Sequence, residues 1–151
     1  ILPGGQAVLV QAPQDRCPLF VRAGTILATL DPSVDTLNAA ANPDVTSLPS
    51  REHLLHLWVW PDSLGNATGL HWTGNTFSLT GSALTVNGLP GTTVIAQIVR
   101  ATKPSAVGSL PEAADWQSLV GVGPGPDGWT WDAERKVLWI RMEAGTIPIE
   151  P

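Results

Sequence analysis

The chain has 151 residues, enough for one domain or two small ones, and 43% of these residues are hydrophobic. Only 14% are charged, against about 25% in a typical soluble domain, and the formal net charge is −5. This composition argues against a disordered chain. It also argues against a nucleic-acid partner, because the scattered Lys and Arg residues form no basic cluster. No run of about 18 apolar residues is present, so the sequence predicts no membrane-spanning segment.

The N-terminus, ILPGGQ, lacks both an initiator Met and the features of a signal peptide. The chain is therefore expected to be a fragment or a processed product of something longer. A single cysteine, Cys17, excludes an internal disulfide, and we interpret it as a buried small hydrophobic residue.

Short runs rich in Val, Ile, Leu, Thr and Trp alternate along the chain with 15 glycines and 14 prolines. This pattern is typical of an all-β domain. In HLLHLWVW, which begins at His53, both faces are apolar or aromatic, so this strand should be covered on both sides. The predicted strands are Ala7–Gln11, Leu19–Val21, Thr25–Ala28, His53–Trp60, Gly69–Trp72, Thr76–Thr80, Ala83–Val86, Thr92–Arg100, Ala106–Ser109, Trp129–Trp131, Val137–Met142 and Thr146–Ile149.

Polar segments separate these strands. Residues 30–50 predict a long surface loop, and the break at residues 61–69 is the best candidate for a boundary between two β units. Helical signals are confined to two short stretches, beginning at Ser33 and Pro111. Each predicts at most about two helical turns added to a β framework.

The three histidines raise the question of a metal site. His53 and His56 are three residues apart, which on a strand directs them to opposite faces, so they could not share a metal on a regular strand. We therefore interpret His53, His56 and His71 as solvated or hydrogen-bonded structural residues, and the sequence predicts no metal and no cofactor.

Catalytic patterns are also absent. No Gly-x-Ser-x-Gly sequence occurs, and a glycosidase would need two facing carboxylates. Asp132 begins Asp-Ala-Glu-Arg-Lys, which predicts a hairpin turn between two strands. The acidic residues of the C-terminal part are Asp115, Asp127, Asp132, Glu134 and Glu143.

Seven tryptophans and no tyrosine make an unusual aromatic composition. Most of these tryptophans are expected to be core or interface anchors. Trp116, Trp129 and Trp131 flank loops, and they are the candidates for stacking against the apolar face of a sugar.

The stretch GGQAVLVQAPQDRCPLFVRAGTILA, from Gly4 to Ala28, resembles the C-terminal region of glycoside hydrolase family 31, the family of α-glucosidases and α-xylosidases. The family pattern reads approximately APLDRIPLFVRGGSIIP, and the segment PLFVR is identical here. Further along, LLHLWVWP, VIAQIVRATKPSAV and GWTWDAERKVLWIRM resemble later strands of that region in the same order, with Trp131 where the family has Tyr. The family's acidic Leu-Tyr-Glu-Asp-Asp-Gly segment corresponds here to GLHWTGNTF, which has no acids.

The resemblance implies an all-β chain of two small antiparallel sandwich units: a proximal unit, 1–63, that lacks its first strand, and a distal unit, 64–151. The family's catalytic aspartates lie in a preceding (β/α)8 barrel, so no catalytic residue is assigned here and that upstream barrel is the expected partner. Arg22, before a predicted kink at Ala23-Gly24, becomes a candidate docking residue.

Two alternatives to this non-catalytic role stay open. The chain could be a stand-alone carbohydrate-binding module that binds an oligosaccharide through exposed tryptophans. It could also be a structural or assembly domain of a larger cell-surface protein.

Overall fold

The computed structural model describes residues 7, 9–10, 19–120 and 125–151. Within these residues the only helix is one 3-10 turn, Leu48–Ser50, and none is long and apolar enough to cross a membrane. The all-β class is therefore confirmed. The ten strands are β1 (Thr25–Thr29), β2 (Leu54–Trp60), β3 (Ala67–Leu70), β4 (Thr76–Thr80), β5 (Ala83–Val86), β6 (Thr93–Val99), β7 (Ala106–Val107), β8 (Gly128–Asp132), β9 (Val137–Glu143) and β10 (Thr146–Glu150).

Every observed strand overlaps a predicted one. The prediction for Leu19–Val21 was wrong, because this segment pairs with no other strand in the described structure. Of the predicted strand Ala7–Gln11, two residues lie outside the described part, as does Cys17, and the other three are not in a strand.

Neither helical signal produces a helix. Asp31 Oδ1 accepts the backbone N–H of Ser33, a bond over two residues that favours a turn. Asp115 Oδ1 accepts the backbone N–H of Ser118 in the manner of a helix N-cap, but only a turn follows it in the described residues. Apart from the 3-10 turn, residues 30–53 form a loop, which confirms the long loop predicted over residues 30–50 and extends it to the start of β2.

The strands form one mixed sheet in the order β7-β10-β5-β4-β3-β1-β2-β6-β9-β8. Two neighbouring pairs, β1–β3 and β2–β6, are parallel and the other pairs are antiparallel, so the prediction of purely antiparallel pairing was wrong at these two pairs. Residues from both ends of this order, Val107 and Trp129, belong to one hydrophobic core cluster with Leu57, Phe77 and Ile140. The sheet therefore curves around this apolar interior, and a second, smaller cluster of Ile95, Leu119 and Trp139 lies apart from it.

Strand β2 lies near the middle of the sheet and is covered on both faces along most of its length. Leu55, Leu57 and Val59 point into the core, while His56 on the opposite face is also buried. This confirms the prediction for HLLHLWVW up to Trp58, whose side chain is 42% exposed.

A bend precedes β1, as predicted. Gly24 has φ +83°, donates its N–H to the Trp60 carbonyl over 2.7 Å and accepts the N–H of Thr68 over 3.0 Å. Glycine adopts this positive φ without the penalty that a side chain would bring. The bend thus joins β1 to the end of β2 and the start of β3.

The polar break after β2 is a compact turn in which Asp62 and Asn66 bond to each other's backbone. Asp62 N donates to the Asn66 carbonyl over 2.8 Å, and Asp62 Oδ1 accepts Asn66 N over 2.9 Å. Because β1 and β2 also pair with β3 and β6, the sheet continues across this turn. The division into units 1–63 and 64–151 stays a prediction.

Strands β1 and β3 approach each other closely at Gly69. A Cβ atom at Gly69 would lie 2.2 Å from the carbonyl oxygen of Ile26 and 2.8 Å from its Cβ. Only a residue without a side chain allows this approach, since the nearest obstructing atom belongs to the backbone.

We expect Gly69→Ala to destabilise the fold by about 2–3 kcal/mol, because β1 and β3 must separate to admit the methyl group. Denaturant unfolding measures the change. Gly145→Ala is the matched control, because a Cβ there meets nothing closer than 3.9 Å. Equal stability of the two variants would contradict this account of the contact.

Candidate functional site

A buried ionisable pair anchors the long loop to the outer face of β2. Asp31 and His56 are 4% and 6% exposed, and His56 Nε2 lies 3.1 Å from Asp31 Oδ2. The other carboxylate oxygen of Asp31 accepts both the hydroxyl and the backbone N–H of Ser33. Sequence reasoning missed this pair, because 25 residues separate its members and nothing local marks either as buried.

The hydrogen bonds determine the protonation state of this carboxyl group. Burial alone would raise the pKa of Asp31, but the hydrogen bonds from Ser33 and His56 outweigh that effect and hold the pKa below its usual range. Asp31 is therefore an ionised acceptor at neutral pH.

Ser, Asp and His occur together here, but their order does not suit nucleophilic catalysis. In a catalytic triad the histidine contacts the serine hydroxyl and takes its proton. Here Asp31 lies between Ser33 and His56, and the serine hydroxyl bonds to the carboxylate instead. The arrangement is thus suited to holding the loop in place.

A cavity of about 320 Å³ lies beside this anchor, and we call it the end cavity. Four parts of the chain that are distant in sequence line this cavity. They are the residue that follows β1, the turn and first residues of β2, the β3–β4 hairpin turn and the β5–β6 loop. Its floor is buried and includes Leu54, Leu55, His71 and Thr92; its exposed rim includes Glu52, Trp72 and Thr73.

The β3–β4 turn fixes the tautomer of His71. The backbone N–H of Thr73 donates to His71 Nδ1 over 3.2 Å, and the Thr73 hydroxyl lies 2.5 Å from the same nitrogen. Because Nδ1 accepts a hydrogen bond, the ring proton sits on Nε2. Burial lowers the pKa of His71, which favours this neutral form.

The three tryptophans proposed for sugar stacking lie in different surroundings. Trp129 is 3% exposed within the core, with Lys103 Nζ 5.5 Å from its ring centroid. Trp131 is partly buried against the same core, and Trp116 stacks on Trp139 with 5.0 Å between ring centroids. Sugar stacking at these positions stays a prediction.

Arg22 is exposed on the segment that leads into Gly24. It makes no hydrogen bond or ion pair with another residue of the described part. Its assignment as a docking residue stays a prediction.

The remaining acids and histidines are dispersed. Asp132 accepts both the backbone N–H and the guanidinium of Arg135, so the hairpin turn between β8 and β9 is confirmed. His53 is exposed, whereas His56 and His71 are buried in different elements. Across the described ranges, no group of three or more His, Cys, Asp or Glu residues could hold a metal ion.

We expect Asp31→Ala and His56→Ala each to lower the free energy of unfolding by about 3 kcal/mol, because either change leaves a buried polar group without its partner. The double variant should cost less than the sum of the two. Chemical denaturation of all three, with the exposed Asp44→Ala as control, measures the coupling. Strictly additive effects would show that the pair does not act as a unit.

Stability should fall on acidification from pH 7.5 to pH 5.0. The pKa of His71 is lowered by folding, so the unfolded chain binds a proton first as pH drops below about 6.5. The lowered pKa of Asp31 adds a further loss only below about pH 4. Thermal unfolding of His71→Gln should show a smaller loss over this range than the unsubstituted chain or His53→Gln, and identical slopes would refute the assignment.

Comparison with known proteins gives similarity of structure only. No known family pattern and no curated protein matches the sequence. A glycoside hydrolase family 31 dextranase from Flavobacterium johnsoniae, complexed with glucose, has a TM-score of 0.60 and 14% identity, over 94% of this chain and 21% of that chain. The α-1,4-glucan lyase of Gracilariopsis lemaneiformis has a TM-score of 0.59 and 19% identity, over 91% of this chain and 17% of that chain.

At such identities the likeness concerns the fold alone. A mutant of the same dextranase complexed with isomaltotriose gives a TM-score of 0.58 over the same shares of the two chains. The chain thus spans about a fifth of the length of these enzymes. Its fold is similar to one part of family 31 structures.

Proposed function

We propose that this chain is a non-catalytic β region of a family 31-like glycosidase, in which a (β/α)8 barrel outside these residues hydrolyses the α-glycoside. The observation that carries the proposal is the match of fold over 94% of this chain to only 21% of a much longer dextranase. The resemblance of residues 4–28 to the family pattern supports the same conclusion.

The role of the region is to pack against the barrel and support the loops around its active site. An uncovered apolar stripe on the outer face of the sheet supports a packing role. Leu27 on β1 lies directly opposite Trp58 on β2, and both are exposed, as is Val99 at the end of β6. Arg22 would add a charged hydrogen-bonding contact at the adjacent N-terminal segment.

In the finer form of this proposal the region consists of a proximal unit, 1–63, and a distal unit, 64–151. The polar turn at Asp62–Asn66 and the family resemblance support it. Since β2 pairs with β6 along six residue pairs, the two units would share a sheet and would not fold independently.

A stand-alone carbohydrate-binding module is not favoured. The dextranase and the glucan lyase with a similar fold are enzymes of which the chain covers about a fifth. Of the tryptophans proposed for that role, Trp129 is enclosed in the core and one ring face of Trp116 is covered by Trp139.

The chain expressed alone should show no hydrolysis of p-nitrophenyl α-glucoside, whereas the product of the reading frame extended upstream of Ile1 should hydrolyse it. The reason is that the nucleophile and acid/base carboxylates would belong to the upstream barrel. A spectrophotometric assay of both proteins measures this. Hydrolysis by the chain alone, or an upstream sequence that encodes no barrel, would refute the proposal.

A further inference from the structure

We propose that Asn87 is a site of spontaneous covalent modification, where the side-chain amide is lost through a cyclic imide and the residue becomes aspartate or isoaspartate. The reaction uses only water and the backbone of the next residue, Gly88. This inference goes beyond the proposed function, since it requires neither a barrel nor a catalytic residue.

The reaction begins when the backbone nitrogen of Gly88 loses its proton and attacks Cγ of Asn87. The new N–C bond closes a five-membered succinimide ring, and the side-chain nitrogen leaves as ammonia. Water then adds to one of the two ring carbonyls and opens the ring. Opening at one carbonyl restores the original backbone as aspartate. Opening at the other gives isoaspartate, in which the backbone runs through the side-chain methylene group.

Asn87 is the only asparagine of the chain that precedes a glycine. A Cβ atom on the following residue would crowd the ring as it closes, and glycine has none. At Asn42 the next residue is proline, which has no backbone N–H to supply the attacking nitrogen. The remaining asparagines precede alanine or threonine, and they are Asn38, Asn66 and Asn75.

The structure leaves both reacting groups accessible. Asn87 and Gly88 directly follow β5, and both are exposed. Within the described part of the chain the Gly88 N–H donates no hydrogen bond, so none has to break before its nitrogen attacks. The Asn87 amide has one long contact, in which Nδ2 donates to Thr76 Oγ1 over 3.4 Å. Little therefore holds the side chain or the next peptide group away from the geometry of ring closure.

The turn after β5 also retains the glycine that makes Asn87 reactive. Gly88 has φ +78°, a backbone conformation that disfavours any residue with a side chain. A Cβ atom at this position would also lie 2.2 Å from Asn75 Oδ1. The local fold and the chemistry thus require the same residue.

Asp127 provides a comparison within the same chain, because an aspartate before a glycine can form the same imide with loss of water. Its glycine, Gly128, is buried as the first residue of β8. A Cβ atom there would lie 3.1 Å from the carbonyl oxygen of Pro111. The peptide between Asp127 and Gly128 cannot turn toward the side chain without disturbing this strand. The fold therefore protects Asp127 and leaves Asn87 open to the reaction.

The modification changes the loop that borders the end cavity. Leu89 and Thr92, which follow in the β5–β6 loop, line that cavity. Isoaspartate lengthens the main chain of this loop, and either product adds a negative charge to a chain whose net charge is −5. The reaction at Asn87 thus alters both the length and the charge of the connection between β5 and β6.

The test is incubation of the purified, folded chain at neutral pH, with peptide mapping by mass spectrometry and measurement of released ammonia. We expect the peptide that contains Asn87 to convert about tenfold faster than any other asparagine peptide, a barrier difference of about 1.4 kcal/mol. Both aspartate and isoaspartate should form there. Asp127 should gain isoaspartate in urea but not in the folded chain, because unfolding removes the protection by β8.

Asn87→Gln is the matched control, because glutamine keeps the exposed amide but would have to close a less favourable six-membered ring. This variant should release ammonia only at the slow rate of the other asparagines. Conversion at Asn87 no faster than at Asn38 overturns the proposal, as does ammonia release that Asn87→Gln does not reduce. Isoaspartate formed at Asp127 in the folded chain as fast as at Asn87 also overturns it, because the fold would then not select the site.

Discussion

The contact between Asp31 and His56 is the constraint on which the outer side of the sheet depends. Strand β2 has apolar or buried residues on both faces, and the sheet's curvature covers only one of them. The long loop covers the start of the other face. The ionised carboxylate of Asp31, which follows Leu30, fixes the loop there by its contact with His56. A loop bound only by apolar contacts could shift along the strand, whereas this pair accepts one geometry.

The end cavity follows from this constraint. Because the loop is fixed, its end at Arg51 reaches the sheet at a defined place. The β3–β4 and β5–β6 connections lie beside Arg51 there, and the cavity lies between these segments. The interior contributes no chemistry, since its members are almost all aliphatic or aromatic. Among the described residues, recognition is therefore expected on connections or on the uncovered part of the outer face, which is where a rigid β scaffold usually presents it.

Much of the fold could be predicted from the sequence, because strand positions depend on local apolar alternation between Gly and Pro. The prediction of a strand at Leu19–Val21 was wrong, because a high β-propensity does not by itself provide a neighbouring strand to pair with. Trp129 shows a second limit. Its position beside a loop suggested exposure, but it shares the inward face of β8 with the half-buried Trp131 and lies in the core. The phase of an alternating strand, and so the face that a residue occupies, depends on which neighbours it meets.

The candidate site could not be predicted from the sequence, for a different reason. Asp31 and His56, or Arg51 and Trp72, are brought together only by the folded sheet, and no periodic pattern joins them. A short polar residue such as Asp31 looks like surface in a sequence, since burial of a charge depends on a partner elsewhere in the chain. Sequence reasoning therefore located the elements well and the polar contacts between them poorly.

The parallel pairing of β2 with β6 has a consequence for synthesis. Thr93 pairs with Leu54 although it lies 39 positions later, and β9, the next strand in the order, follows later still. Such non-local contacts place the chain among slow folders, on a timescale of about milliseconds to seconds. A ribosome thus releases β2 together with its neighbour β1, but well before β6, the neighbour on its other side, exists. During that interval this strand is the segment most in need of protection from aggregation.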